Sequence, residues 1–194
     1  MRSIFVIGMV LAIPVAGLAQ AFTAMGVDEK LIYHIMQSAA PLALAGDVAY
    51  AGVIQELDAP TEWGQGWPAY GKRLASTAAC SGIHSAMAFG LDSTLHEDPR
   101  YFRSTGGGFW RRTGHALRDT ILTHTDHGGE TLSIWRFGSA YGAAYLSNQW
   151  YPGRLNTVAL GFGEGSLRFG FDMVANLATE FWPDVKRKIL RRKP

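Results

Sequence analysis

His96, Glu97 and Asp98 stand side by side, and a second group follows with His124, Asp126 and His127, then Glu130. Neutral imidazoles and carboxylates are the ligands that zinc prefers, and a carboxylate beside such a site can take a proton from metal-bound water. On residue type, His96, His124, Asp126 and His127 are the candidate metal ligands, with Glu97 or Glu130 as the general base of a metal-assisted hydrolysis. The same residues also fit a purely architectural pattern. Asp98 and Pro99 suit a turn, Arg100 suits pairing with a carboxylate, and Tyr101 with Phe102 suits anchoring the connection.

Other chemistries lack their residues. Gly165 and Ser166 are without the flanking Gly-x-Ser-x-Gly pattern of a nucleophile elbow. Gly161, Gly163 and Gly165 recur every second residue with no Lys-Ser or Lys-Thr pair behind them, so neither a phosphate loop nor nucleotide binding is expected. Cys80 is the sole cysteine, flanked by Ala78, Ala79, Ser81 and Gly82, which suits a small buried residue and excludes an internal disulfide.

Charge is unevenly placed. Six basic residues, Lys186, Arg187, Lys188, Arg191, Arg192 and Lys193, close the chain behind Phe181, Trp182 and Pro183, and anionic lipid headgroups attract such a segment. Between Phe22 and Pro183 the chain is acidic, with 11 Lys and Arg against 15 Asp and Glu, which argues against broad nucleic-acid binding.

These groups need a scaffold. Residues 1–21 run from Arg2 through an apolar stretch, Ile4 to Ile13, to small residues ending at Ala19 and Ala21, the pattern of a cleavable secretory signal. An exported protein of the periplasm or cell envelope is expected, beginning near Phe22. Asp28 and Glu29 open a first helix with Leu31, Ile32, Ile35 and Met36 at helical spacing, and Pro41 opens a second that runs to about Leu57. A long helix is expected from Pro68, where Gly71, Ala75, Ala78, Gly82, Ala86 and Gly90 form a stripe without bulk. Close helix packing is expected there, and likewise at Gly138 with Gly142 and at Gly161 with Gly165. Further helices are expected over Phe109 to Thr123, from Ser133 as cap onward, and from Asn156 or Thr157 to Trp182, with Pro183 starting a short basic one. Leu167, Phe169 and Phe171 alternate as in a barrel strand, but the alternation fails at Met173 and Val174. Asp47 and Asp172 interrupt the apolar stretches that would otherwise suit membrane spans, so a soluble or peripheral protein is expected.

The phrases Leu95-His96-Glu97-Asp98-Pro99-Arg100-Tyr101-Phe102, Ser147-Asn148 leading to Trp150-Tyr151-Pro152, and Glu180-Phe181-Trp182-Pro183-Asp184-Val185-Lys186 resemble an uncharacterised family of exported bacterial proteins. That resemblance implies an exported bacterial origin and carries no activity, cofactor or site. The expectation is therefore an all-α bundle of about five to seven helices, a single domain over 22–182 and a basic tail over 183–194. Its leading function is that of a non-catalytic envelope protein associated with an anionic membrane surface or another envelope protein. No cofactor is expected under that reading; the alternative is a small metal-dependent hydrolase using the His/Asp cluster, for which zinc is the metal the residues suit.

Overall fold

The computed structural model describes residues 23–190, so the signal-like segment 1–21 and the last basic residues, Arg191, Arg192 and Lys193, lie outside the described residues. The described chain is an all-α bundle of six helices with one small two-stranded sheet. Helix α1 covers Val27–Ser38 and α2 covers Pro41–Glu56. Together they run antiparallel to α3, Trp67–Leu95, with α1 beside its C-terminal half and α2 beside its N-terminal half. Ser85 Oγ donates to the His34 carbonyl at 3.1 Å, Ser81 Oγ to Asp47 at 2.9 Å, and Tyr70 Oη to the Val48 carbonyl at 3.2 Å, in that order down the pair.

The central element is α5, Ile134–Ser147, which packs antiparallel to α3 on one side and to α6, Val158–Leu190, on the other. Both contacts use glycines of the expected kind. An added Cβ at Gly138 would meet Leu91 at 2.6 Å and one at Gly161 would meet Tyr145 at 2.5 Å, while Gly142 and Gly165 lie still closer to Met87 and Tyr141. The stripe on α3 differs. Gly71, Ala75, Ala78, Gly82, Ala86 and Gly90 are all exposed, and nothing lies within 4 Å of a Cβ built at Gly71, Gly82 or Gly90. Periodicity alone places small residues on one face without saying which face meets a neighbour.

Above the α3 and α5 ends sits a cap. It comprises the connection 96–108, helix α4 (Phe109–Ile121), the antiparallel strands β1 (Leu122–His124) and β2 (Glu130–Leu132), and the upper half of α6 that α4 packs along. The expected helix to Thr123 ends two residues early, because the chain leaves Leu122 in extended conformation and pairs Thr123 with Thr131. Nor does a helix end at Trp182, since α6 passes through Pro183 to Leu190. Proline there leaves only the Thr179 carbonyl without its helical donor. The segment around Leu167 is helical and not a strand.

The distribution of side chains is inverted. Fully buried large residues are Arg73, Lys30, Glu97, Glu180, Asn148, Asp92 and Asp98, and the buried apolar residues are mostly alanines. Meanwhile Leu31, Ile32, Ile35 and Met36 of α1, Leu44, Val48 and Val53 of α2, and Phe162, Leu167, Phe171 and Val174 of α6 all face outward.

Candidate functional site

The cap is built on buried charges that each tie two elements. Lys30, 1% exposed, donates from Nζ to Asp126 Oδ2 at 2.7 Å and to the Asp92 carbonyl at 3.2 Å. One turn on, His34 Nε2 lies 2.5 Å from Asp92 Oδ2, and its ring stands edge-on to Trp135. Asp98 holds Arg100 through its guanidinium and backbone N–H, and Thr123 Oγ1 donates to the Asp98 carbonyl at 2.7 Å. Sequence reading missed Lys30, His34 and Asp92. The i, i+4 spacing of Lys30 and His34 on one face of α1 was the available signal.

The expected metal-site residues divide between neighbouring clusters. His96 closes α3 in the left-handed region at φ +56° and is exposed, its Nδ1 3.7 Å from Asp126 Oδ2 and its ring 5.6 Å from that of His127. His124 stands on β1 with its ring 5.0 Å from Phe102 and its Nε2 4.0 Å from Glu130 Oε1. Glu130 in turn receives both terminal nitrogens of Arg118, at 2.9 and 2.5 Å. Among the described residues, no group of three or more His, Cys, Asp or Glu side chains is arranged to hold a metal ion.

Glu97 is buried and accepts from the backbone N–H groups of Ile134 at 3.3 Å and Trp135 at 3.0 Å, two donors of the first turn of α5. Ser133 occupies the cap position but its side chain makes no capping bond, so Glu97 reaches across from the other connection to do so. Burial pushes the Glu97 carboxyl above its ordinary range, against the pull of those two N–H groups. An acid whose pKa is raised on folding binds its proton more tightly in the folded state. It therefore costs stability at neutral pH, and that cost is relieved as pH falls through the raised value. Glu97→Gln, which keeps an acceptor and removes the charge, should thus change stability at pH 7 by less than about 1 kcal/mol, whereas Glu97→Ala should lose about 2 kcal/mol. Thermal unfolding of the two variants checks this, and equal losses would remove the capping role.

On the far side of the cap, Glu180 is 0% exposed and gathers Tyr101 Oη at 2.8 Å, the Ser104 N–H at 3.0 Å and Arg112 Nε at 2.6 Å. Burial, then the bond to Glu180, pushes the Tyr101 phenol far up, so it remains a donor across the physiological range.

Glu180 belongs to a longer pattern. Glu164, Arg168, Asp172, Asn176, Glu180 and Asp184 recur every four residues along α6. The upper three are engaged by the cap: Asn176 Nδ2 donates to Thr120 at 2.9 Å, Glu180 is bound as above, and Asp184 receives Arg112 at 2.6 Å. The lower three enter the bundle. Glu164 meets Ser147 Oγ at 3.5 Å, Arg168 donates to Cys80 Sγ at 3.2 Å, and Asp172 Oδ2 is buried with no hydrogen-bond partner.

Comparison of the chain with family models, with curated proteins and with solved structures finds no match in any of the three. The meaning of these residues rests on their geometry.

Proposed function

We propose that this protein is an envelope protein seated in the hydrocarbon of a membrane, with its charged cap held at the membrane surface. The observation that carries the reading is the outward apolar face of α1, α2 and α6, set against Glu164, Arg168 and Asp172 of α6 directed into the bundle, with the fully buried charges gathered in the cap and at the 58–64 connection. In water such a surface is a liability, because soluble monomers rarely expose large contiguous apolar patches and seldom bury so many charges. In lipid the arrangement is the expected one, since ionisable residues of membrane segments face the bundle interior.

Dimensions support the same seat. From Val158 to Asn176, the first residue of α6 that the cap engages, α6 rises about 27 Å at about 1.5 Å per residue, close to a hydrocarbon core of about 30 Å. Aromatic side chains collect at both ends, as they do at membrane interfaces. Trp63 stacks on Tyr151 near Trp67, which is 85% exposed, and at the cap Phe109 packs against Phe181 beside Trp110, 81% exposed. The exposed Lys186, Arg187 and Lys188 lie just past that second group, where anionic headgroups would meet them.

No helix among the described residues is long and apolar enough to cross a membrane by average hydropathy. That average mixes two faces. Asp47 and Asp172 lower it, yet Asp47 accepts from Ser81 on α3 and Asp172 sits on the inward stripe of α6.

The test is extraction. The full chain should stay with membranes through alkaline carbonate and should float with phosphatidylcholine and phosphatidylglycerol liposomes at 1 M salt, where the Debye length falls to about 3 Å. Deleting Lys186 to Pro194 should leave flotation intact. Release by salt, or loss of binding with the tail, would place the protein on the surface instead.

A further inference from the structure

We infer that the cleft between the start of α4 and the last turns of α6 holds one anionic phospholipid, its phosphodiester on Arg112, Arg187 and Lys188 and its glycerol backbone on Phe109, Phe181 and Val185. The inference rests on the membrane seat proposed above and adds lipid selection to it. Helical spacing builds the cleft. Phe181, Asp184, Val185 and Lys188 share one face of α6, and Phe109 and Arg112 stand one turn apart on the side of α4 that meets it. The Phe109 and Phe181 rings lie 5.1 Å apart, and about 580 Å³ is open between the two faces, enough for a headgroup with the first carbons of its chains.

The charges that line it are unequal and held in place. Arg112, Arg187 and Lys188 face a single carboxylate, Asp184. Asp184 Oδ2 accepts from Arg112 Nη1 at 2.6 Å and Oδ1 accepts from Arg187 Nη2, so both of its oxygens are engaged and both guanidiniums are drawn to one place. Donors remain after these bonds. Arg112 uses three of its five N–H groups, on Glu180 and Asp184, and Arg187 uses one. Lys188 has no hydrogen bond or ion pair among the described residues. Guanidinium forks match phosphate oxygens, and basic pockets at the membrane surface hold anionic headgroups. A lipid of net negative charge is favoured over a zwitterionic one, whose ammonium would meet the same cations. The walls decide between a lipid and free phosphate. Phe109 and Val185 are exposed beside Trp110 at the cap interface, where a glycerol backbone and its chains cover them and an inorganic anion does not.

Native mass spectrometry of the purified full chain in an uncharged detergent, titrated with phosphatidylglycerol or phosphatidylcholine, tests this. One phosphatidylglycerol should bind about tenfold more tightly than phosphatidylcholine, and Arg187→Ala with Lys188→Ala should weaken it by about tenfold. Lys72→Ala with Lys186→Ala removes the same charge from exposed positions that do not line the cleft, and should change the affinity by less than about twofold. Excess inorganic phosphate should leave the lipid bound. Equal affinity for the two lipids, or equal losses in the two double variants, would overturn the site in favour of unspecific charge attraction, and displacement by phosphate would overturn the lipid as its occupant. If the Arg187 and Lys188 double variant does not fold, Lys188→Ala alone decides, and an affinity equal to wild type overturns the site. Carbonate-resistant insertion is measured separately: insertion without lipid preference overturns the cleft and leaves the membrane seat standing, and failure to insert overturns both.

Discussion

Replacing Glu180 by alanine should cost about 3–5 kcal/mol of stability, the largest loss expected from any single truncation of the cap. The carboxylate is wholly buried and is the acceptor for a phenol, a backbone N–H and a guanidinium that come from the connection 96–108 and from α4. Removing it leaves the Tyr101 phenol, the Ser104 N–H and Arg112 Nε without that acceptor. Arg112 keeps Asp184 and the Glu180 carbonyl, so its charge is not left bare, and this holds the loss within that range. Arg112→Ala combined with Glu180→Ala should lose less than the sum of the two, by about 1–3 kcal/mol, because each single change already breaks the shared contact. Tyr101→Phe should cost only about 1 kcal/mol. Denaturant unfolding of the purified protein in mild detergent measures all four variants. A loss below about 1 kcal/mol for Glu180→Ala would mean that the cap is held by its aromatic packing, with Arg112 over Phe181 at 4.6 Å and Phe109 against the same ring.

The helices were legible because their punctuation is local. Pro41 fixes the start of α2, and Gly66 with Pro68 marks the start of α3 within a residue. The antiparallel strands were not, because three-residue strands around Thr125 to Gly129 carry too short a pattern to separate from a helix end. Pro183 misled for a related reason. Proline disfavours continuation of a helix, but about two turns before Leu190 the one lost hydrogen bond is small beside the Glu180 and Asp184 contacts that hold this part of α6 in place.

The polar residues show where local pattern stops. Glu164, Arg168 and Asp172 were visible as charges, but a helix with one polar and one apolar stripe reads identically whether the polar stripe meets water or a bundle interior. Only the partners decide. Among the candidate metal residues His96, His124, Asp126 and His127, type and spacing left open which would converge: His96 lies beside Asp126 and His127, while His124 faces Phe102 and Glu130. That Lys30 would reach Asp126 from more than ninety residues away in the chain is a tertiary fact that no motif records.

The glycines allow the sharpest separation of local pattern from tertiary contact. Gly165→Leu should destabilise by about 3 kcal/mol, while the same change at Gly82 should be neutral or stabilise by up to about 1 kcal/mol. Sequence spacing treats the two positions alike. At Gly165 a new Cβ would run into the Tyr141 ring, and that ring has little room to move because its Oη is hydrogen-bonded to Ser166 at 3.0 Å on the same helix. At Gly82 nothing lies within 4 Å, so leucine gains helix propensity and adds apolar surface to an outward face. Gly142 falls between them. The group its Cβ would meet is the Met87 methyl, the end of a flexible side chain that can swing aside, so Gly142→Ala should cost less than Gly165→Ala. If Gly82→Leu proves as damaging as Gly165→Leu, the α3 stripe is covered by something outside this chain.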